Sequence, residues 1–546
     1  MPVHRAALVA AVTAGTILAT TTAYAASDGP RDDAAPERAR TPDQVEAPLP
    51  ELTWEPCDDD LQCTKAQVPL DYDDPSGRTT ELALARRPAD EPDARIGTLF
   101  VNPGGPGEPA LEYMSWYAEN LPPAVLERFD VVGIDPRGIG ASAPLQCRPG
   151  DGDGDVPEPP SVQFPVTKRE AHEKLRYDRR VRRACATGAN PIIDHMTTAD
   201  TARDMDLVRQ AVGDEQLTYY GISYGSYLGA TYAAMFPERI RAMVVDGVMD
   251  PIGYATGHDD ADADLPVTAR WGSAAGAWKT LTRAFAECDR VGPERCATAG
   301  ESTATWMRIV ERLKQGPVRL DGERLTYQDV VTHADAALRD VTALRPFMSF
   351  LDATDDALSG TADEEARSDA AAAYTRLRQH LSSSEPAATS SDGALTPRTE
   401  AVICADSANP ESPRSWIDAG ARADRAAPWF GRFWTWRSSS CAQWPGSSAD
   451  AYRGPFETDT SAPVLLVATL HDPATPISGA RTLNTLLDGS RMLTVDGWGH
   501  GALGESACLA SHARDYLVSG VLPPAGTVCE QDDKPFPLTE GERSSR

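Results

Sequence analysis

The sequence predicts an α/β fold, in which a mostly parallel central sheet is flanked by helices and carries a helical cap insertion. Over residues 51–255, and again from residue 416, short apolar runs alternate with amphipathic stretches, as in parallel strands joined by helices. From about 256 to 400 the chain is instead rich in Ala, Arg and Asp, with few β-branched runs. Because this segment interrupts the alternation, we expect it to cover the carboxyl edge of the sheet.

Six apolar runs are predicted as buried strands. Strands that run parallel need crossover connections, which are right-handed in nearly all sheets. The segment 199–212, where apolar residues recur among charges at helical spacing, is predicted as one such connecting helix. The predicted strands are 96–101, 129–135, 216–220, 240–245, 464–468 and 492–495.

The first 25 residues have the pattern of a secretory signal peptide. His4 and Arg5 precede an apolar run over 6–20, and small residues at Ala23 and Ala25 fit a cleavage site. No other stretch approaches the length needed to cross a bilayer. We therefore expect a secreted protein without stable membrane association once the signal is removed.

The predicted domain organisation follows from these changes in composition and in the pattern of apolar residues along the chain. The predicted segments are a signal peptide (1–25), a flexible leader or propeptide (26–50), the N-terminal part of the core (51–255), a helical cap insertion (256–415), the C-terminal part of the core (416–535) and a polar tail (536–546).

The charge argues against nucleic acid as a partner, and the cysteine content argues against a metal site. The net charge of -29 would repel nucleic acid, which disfavours nucleic acid as a partner. The main consequence of this charge is solubility. Ten cysteines, an even number in an exported chain, favour disulfides over a metal site, and no zinc-binding motif is present. Other connectivities remain open, but pairing of sequence neighbours would join Cys57–Cys63, Cys147–Cys185, Cys288–Cys296, Cys404–Cys441 and Cys508–Cys529.

A glycine-flanked serine follows the third predicted strand. The segment 221–225 reads Gly-Ile-Ser-Tyr-Gly, and a helix-like stretch follows it. This is the Gly-x-Ser-x-Gly nucleophile elbow, in which a sharp strand-to-helix turn exposes the serine above the sheet. Ser223 is therefore the predicted nucleophile. Ser226 lies outside the turn and is the weaker candidate.

A serine nucleophile needs a base, and the base needs an orienting carboxylate. In α/β hydrolases these follow in the order Ser, Asp, His. Asp472 and His500 each follow a predicted strand, where open sheets place their sites. Asp472 could instead cap a helix that begins near Pro476, and His500 could be a surface histidine.

Two further residues compete for these catalytic roles. His512 lies in a helix-like segment, where a structural role is favoured. Asp135 ends the second predicted strand and is interpreted as a carboxylate that binds nearby backbone.

Acyl transfer also requires two backbone N–H groups for the oxyanion. One is expected from Tyr224, directly after the nucleophile. The other is expected from the Gly/Pro-rich loop that follows the first strand, where only Gly104, Gly105 and Gly107 have an N–H to offer. We favour Gly105. A plain Gly/Pro turn is the alternative interpretation of this loop.

Several motifs in order resemble the secreted tripeptidyl aminopeptidases of the proline iminopeptidase-like serine peptidase family. The similarity spans about residues 50–530. The motifs are NPGGPG at 102–107, DPRGIG at 135–140, GISYG at 221–225, CAQWP at 441–445, DPATP at 472–476 and GHG at 499–501, followed by Cys508 and Cys529.

This resemblance implies an α/β-hydrolase fold, a helical cap and release of short peptides, tripeptides in this family, from free N-termini. It gives Ser223, Asp472 and His500 the catalytic roles, and it places Gly105 and Tyr224 at the oxyanion hole. It implies no metal and no organic cofactor. Two positions depart from the family pattern, since Glu108-Pro109 replaces small residues and His471 replaces an apolar residue. Both can alter substrate preference.

Recognition of a free N-terminus requires a group that binds a protonated amine. Carboxylates of the cap or of the cleft mouth can do this, and the candidates are Glu108, Glu400 and Asp406. A solvated or structural carboxylate is the alternative for each. Two other functions stay open: a secreted carboxylesterase or lipase on the same fold, and a catalytically inactive binding protein.

Overall fold

The structure is a computed structural model that describes residues 45–58, 60–148, 158–160, 162–360, 362–382 and 395–538. The predicted signal peptide (1–25), most of the predicted leader and most of the predicted polar tail lie outside the described residues. The strands are β1 (Glu55–Asp58), β2 (Leu61–Pro69), β3 (Thr79–Arg87), β4 (Gly97–Asn102), β5 (Phe129–Ile134), β6 (Leu217–Ile222), β7 (Ile240–Asp246), β8 (Val318–Leu320), β9 (Glu323–Leu325), β10 (Thr458–Asp459), β11 (Leu465–His471), β12 (Leu487–Asp488), β13 (Arg491–Trp498) and β14 (Val528–Glu530).

Helices connect these strands and also form a long block between β7 and β10. They are α1 (Met114–Asn120), α2 (Pro123–Arg128), α3 (Lys168–Gly188), α4 (Thr198–Ala211), α5 (Tyr224–Met235), α6 (Pro251–Ala255), α7 (Asp260–Ala263), α8 (Val267–Arg270), α9 (Ser273–Val291), α10 (Ser302–Lys314), α11 (Tyr327–Leu338), α12 (Leu344–Leu358), α13 (Glu364–Ser382), α14 (Arg398–Asp406), α15 (Ser415–Ala426), α16 (Phe430–Thr435), α17 (Ile477–Leu486) and α18 (Ala507–Ser519).

One sheet of ten described strands organises the core, in the order β1-β2-β3-β5-β4-β6-β7-β11-β13-β14. From β5 to β14 the neighbouring strands are parallel, whereas β1, β2 and β3 add antiparallel pairs at one edge. The predicted α/β fold with a mostly parallel sheet is confirmed. All six predicted strands are present, and α4 matches the predicted helix 199–212.

The antiparallel edge corresponds to none of the strands predicted from the sequence. The residues of β1 are exposed, and much of β2 is only half-buried. A search for continuous apolar runs finds strands that are covered on both faces, because only those lack polar residues. Polar residues deprive β1 and most of β2 of such a run, whereas β3 contains the buried run 82–85 and was missed despite it.

Alternate residues of the central strands enter two separate apolar layers. Leu99 and Val101 pack with α1, α2 and α18 on one face, whereas Phe100 between them packs on the other face. The same alternation occurs at Val244 and Val245 of β7. This period of two follows from the pleat of the strand, and helices cover both faces.

All five disulfides expected from neighbour pairing are present, so that prediction is confirmed. Cys147–Cys185 ties the region after β5 to α3, and Cys404–Cys441 ties α14 to the turn after α16. The described part of the chain contains no helix that is both long enough and apolar enough to cross a membrane.

Within the segment predicted as a cap, 256–415, the structure has α7 to α14 and the antiparallel pair β8–β9. Two parts of this segment reach the carboxyl edge of the sheet. The carbonyl of Arg339 accepts a hydrogen bond of 2.9 Å from the N–H of His500. Thr399 packs on Gly107, where an added Cβ would lie 2.9 Å from the Thr399 hydroxyl oxygen. The segment boundaries themselves stay a prediction.

A buried arginine joins the loop after β5 to the antiparallel edge. The Arg137 guanidinium donates to both carboxylate oxygens of Asp204 on α4, at 2.8 and 2.6 Å. It also donates to the carbonyls of Pro69 and Leu70 at the end of β2, and the Tyr72 hydroxyl donates to Asp204. Because both charges are fully buried, each depends on the other for compensation.

We expect Asp204→Ala to lower the free energy of unfolding by about 3–5 kcal/mol, since it leaves the Arg137 charge buried without its partner. Urea unfolding measures this. The control is Lys65→Ala, which breaks the exposed ion pair with Glu81 and should cost at most about 1 kcal/mol. Equal effects of the two substitutions would contradict the assignment of Arg137 as the anchor of this edge.

Candidate active site

Ser223 occupies a strained turn between β6 and α5. Its φ of 58° and ψ of -122° lie in a region that residues other than glycine rarely adopt, at a cost of about 1–3 kcal/mol. The flanking glycines are required by crowding. A Cβ on Gly221 would lie 2.4 Å from the carbonyl oxygen of Gly225, and a Cβ on Gly225 would lie 2.6 Å from that of Asn102. The sequence pattern thus has the elbow geometry that it predicted.

The glycine loop after β4 lies against this turn. Gly104, Gly105 and Gly107 all have positive φ, and a Cβ on Gly104 would lie 2.9 Å from Cβ of Ser223 and 3.0 Å from the nitrogen of Tyr224. The Gly104 N–H already donates to Oδ1 of Asn102. Within the described chain the N–H groups of Gly105 and Gly107 donate to no other group, so either can serve an oxyanion together with the N–H of Tyr224.

Asp472 and His500 meet because the parallel strands β11 and β13 are neighbours. Nδ1 of His500 lies 3.1 Å from Oδ1 and 3.0 Å from Oδ2 of Asp472. A buried carboxylate at this nitrogen fixes the tautomer that leaves Nε2 free as a base. The two residues predicted as acid and base are therefore hydrogen-bonded partners.

Hydrogen bonds from its own loop hold the Asp472 carboxylate. Oδ1 accepts from the N–H groups of Ala474 and Thr475, and Oδ2 accepts from the Thr475 hydroxyl. Burial raises the pKa of Asp472, but the charge and hydrogen bond of His500 and the bonds from Thr475 outweigh it, so the pKa is lowered overall. Helix α17 starts at Ile477 without a side-chain cap, which removes the alternative role for Asp472.

The end of β7 brings the nucleophile and the histidine together. The Ser223 N–H donates to the carbonyl of Asp246 at 2.9 Å, and a Cβ on the next residue, Gly247, would lie 3.4 Å from Cε1 of His500. No hydrogen bond joins Oγ of Ser223 to Nε2 of His500 among the described residues. Such catalytic hydrogen bonds are often long in unliganded enzymes and shorten when substrate binds.

Comparison with known proteins agrees with this geometry. The family model for the alpha/beta hydrolase fold matches residues 97–269, and the one for TAP-like protein matches residues 427–529. Serine protease Hip1 of Mycobacterium tuberculosis is 31% identical over 490 residues, which cover 86% of this chain and 87% of the relative. The chain belongs to the TAP-like α/β hydrolases.

Further relatives carry different names. A tripeptidyl aminopeptidase of Streptomyces lividans is 28% identical, covering 89% of this chain and 88% of the relative. Carboxylesterase B of M. tuberculosis is 31% identical, covering 88% and 90%. Among solved structures, a proline iminopeptidase of Mycobacterium smegmatis aligns with a TM-score of 0.34 and 15% identity, covering 83% of this chain and 97% of that one.

The alternative candidates for catalytic roles in this TAP-like hydrolase, Ser226, Asp135 and His512, have other contacts in the structure. Ser226 is fully buried, and its hydroxyl bonds the Ser223 carbonyl and the Met249 N–H. The carboxylate of Asp135 accepts from the N–H groups of Leu111 and Ala141, as expected for a structural role. His512 lies on α18 beside Cys508 and Cys529, whose sulfurs form a disulfide and so are not metal ligands.

The three candidates for amine recognition have different surroundings. Glu108 borders the glycine loop, since a Cβ on Gly105 would lie 3.1 Å from its Cγ. Glu400, in the first turn of α14, lines a cavity of about 170 Å³. Asp406, at the other end of α14, is 1% exposed and is enclosed by hydrogen bonds. The donors to Asp406 are the Thr198 N–H, the Thr198 hydroxyl and the Tyr254 hydroxyl.

Two residues near the site were missed in the sequence. The Thr475 hydroxyl donates to Oδ2 of Asp472, and its oxygen lies 3.2 Å from Nδ1 of His500. The carboxylate of Asp246 bonds the backbone that follows His500. Asp246 had a detectable signal, because it ends a predicted strand at the edge where open sheets build their sites. Thr475 had none, because its role depends on how the loop folds back.

We expect Gly104→Ala to slow phosphonylation of Ser223 by a fluorophosphonate by about 100-fold, because the added Cβ would lie 2.5 Å from the Ile222 carbonyl and displace the nucleophile turn. The labelling rate measures this. Gly213→Ala is the matched control, since Gly213 has a similar φ of 88° but open space around it. That variant should lose stability and keep the labelling rate. Normal labelling of Gly104→Ala would contradict the packing described.

Proposed function

We propose that this chain is a serine exopeptidase that releases short peptides, tripeptides in the first instance, from free N-termini. The observation that carries the proposal is the hydrogen-bonded pair of Asp472 and His500 beside a serine in the elbow conformation. The match to the TAP-like family model and the names of the relatives support peptides or proteins as the substrate class.

The proposed reaction proceeds through an acyl-enzyme. Nε2 of His500 accepts the proton of Ser223 as Oγ attacks the scissile carbonyl, and Asp472 stabilises the imidazolium that forms. The N–H groups of Gly105 and Tyr224 bind the developing oxyanion. The imidazolium then protonates the leaving amine. Water, activated by the same histidine, hydrolyses the ester on Ser223, which releases the N-terminal peptide.

An esterase is the second candidate, because a relative of equal identity is named carboxylesterase B. The triad itself does not choose between an ester and an amide. The two candidates differ in what they require of the substrate, since only an aminopeptidase needs a protonated amine at a fixed distance from the scissile bond.

Export of the protein is part of the proposal. Five disulfides are typical of proteins that fold in an oxidising compartment. The described residues contain no membrane-spanning helix. Both observations support secretion, which the predicted signal peptide over 1–25 would direct.

For the substrate amine, the surroundings of Glu400 favour it over the other candidates. Its carboxylate faces a cavity that also exposes Tyr177, Asp178 and Ser440, and it forms no ion pair among the described residues. Burial raises its pKa and the charge of Asp178 adds to this, whereas the charges of Lys174 and Arg437 oppose it. A largely desolvated carboxylate that forms no direct ion pair is stabilised by binding an ammonium group.

The cavity also lies close to the proposed oxyanion loop. Thr399, the residue before Glu400, packs on Gly107 of the glycine loop, and Gly104 of the same loop packs on Ser223. In contrast, Asp406 has its hydrogen-bonding capacity used by Thr198 and Tyr254. We therefore propose Glu400 as the residue that binds the N-terminal ammonium.

The purified protein should cleave a tripeptide chromogenic amide whose amine is free, and it should not cleave the same amide after acetylation. The reason is that the acetylated substrate has no charge for the enzyme to bind. Hydrolysis rates of both amides and of a simple chromogenic ester are measured, with Ser223→Ala as the control. Ester cleavage without amide cleavage would contradict the peptidase proposal and favour the esterase.

Glu400→Gln should raise KM for the free-amine amide by about tenfold or more with a smaller change in kcat, because the lost charge contributes to binding. Steady-state kinetics on the free-amine amide, with the ester as an amine-independent substrate, measure this. Glu108→Gln is the matched control and should change KM less. A larger effect of Glu108→Gln would transfer the amine site to the glycine loop.

A further inference from the structure

Asp246 bonds both catalytic loops. Its carbonyl accepts from the Ser223 N–H at 2.9 Å, in the turn that carries the nucleophile. Its Oδ2 accepts from the N–H groups of Ala502 and Leu503, each at 3.0 Å, in the turn that follows the histidine. The Tyr220 hydroxyl donates to the same oxygen at 3.1 Å. One residue therefore connects the nucleophile turn to the histidine loop.

The second carboxylate oxygen of Asp246 has no such partner. Oδ1 is buried and accepts no hydrogen bond within the described chain, and no lysine or arginine forms an ion pair with Asp246 there. The pKa of Asp246 is raised to about 6, because burial and the nearby charge of Asp472 together outweigh the lowering by the bonds from Ala502 and Tyr220 and by the charge of His500. A carboxylate is a costly choice here if its only task is to accept hydrogen bonds.

The groups that face Asp246 show what its charge can act on. Tyr220 of β6 and Tyr117 of α1 are neutral phenols whose pKa values burial raises well above the usual range. Asp472 is an anion already paired with His500. His500 is thus the group among these that becomes positive during the proposed reaction, when it takes the proton of Ser223.

We propose that Asp246 is a positioning residue for His500. The negative charge of Asp246 helps to stabilise the His500 imidazolium, and the hydrogen bonds that Asp246 accepts hold the turn after the histidine. The proposal rests on the serine-hydrolase mechanism given above. It assigns to Asp246 a task distinct from that of Asp472, which contacts the imidazole directly. Asp246 acts through its hydrogen bonds to the turn after His500 and through the electrostatic field of its carboxylate.

Activity and stability should then respond to pH in opposite directions. The pKa of Asp246 in the folded protein is raised above the ordinary aspartate value, so folding favours the neutral form. The stability that this group contributes is complete at low pH and is lost as the pH rises through about 6. The proposed assistance to His500 needs the anion and therefore grows over the same interval.

The test substitutes Asp246→Asn, which has the shape of the protonated side chain. Phosphonylation of Ser223 by a fluorophosphonate is followed from pH 5 to pH 8, because this reaction needs the nucleophile and base but no particular substrate. We expect the wild-type rate to exceed that of the variant about tenfold at pH 8 and about twofold at pH 5. The inhibitor concentration for half-maximal rate should be unchanged, and the thermal midpoint of the variant should equal or exceed that of the wild type above pH 6.

Asp206→Asn is the matched control. Asp206 is also fully buried, but it bonds Arg239 and Tyr232 and contacts neither catalytic loop. This variant should lose thermal stability and keep the wild-type rate at every pH. The control separates the loss of any buried carboxylate from the loss of this one.

The outcomes are distinct from those that test the proposed peptidase activity. A ratio of rates that is constant from pH 5 to pH 8, or a variant as fast as the wild type, would overturn the role of the charge. Absence of labelling in the wild type would overturn this proposal together with the assignment of Ser223. Normal labelling without peptide cleavage would contradict only the peptidase proposal and leave Asp246 in its role.

Discussion

The strained backbone of Ser223 is the constraint around which the carboxyl edge of the sheet is built. The residue is held at positive φ by the hydrogen bond from its N–H to the Asp246 carbonyl and by the close approach of three glycines. A strained residue of this kind persists only when its surroundings leave it no alternative. Here β4, β6 and β7, three adjacent strands, all contribute to that restraint.

The helical block between β7 and β10 contributes directly to the site and is not only a cover. Helix α14 begins beside Gly107 of the glycine loop, and its last residue, Asp406, binds Thr198. The Thr198 hydroxyl in turn contacts the hydroxyl of Tyr224, the residue whose backbone N–H is proposed for the oxyanion hole. The carbonyl of Arg339 receives the N–H of His500. Substitutions in this block can therefore alter catalysis as well as specificity.

Burial affects three carboxylates of this edge in different ways. Asp472 has a positive partner in His500 and several donors, so its pKa is lowered although it is buried. Asp135 and Asp246 accept backbone hydrogen bonds but have no directly bonded cation among the described residues, so burial raises the pKa of each. Groups of one type whose environments separate their pKa values can take different tasks. On this basis we propose that Asp472 orients the base, whereas Asp135 holds the nearby backbone of Leu111 and Ala141.

The sequence by itself indicated the parallel core and the Ser, Asp, His order, whereas the structure selected neighbour pairing among the connectivities that the ten cysteines left open. Apolar runs mark strands that are covered on both faces. In contrast, Cys147–Cys185 and Cys404–Cys441 join cysteines 38 and 37 residues apart, which no local pattern specifies. The exposed strand β1 and the largely half-buried strand β2 lacked such apolar runs. Only the tertiary structure decided that the N–H of Gly104 donates to Asn102 and that the carboxylate of Asp406 is buried. It also decided that the carboxylate of Asp246 accepts from the backbone after His500. These properties depend on which residues of distant segments meet, and no local pattern records that.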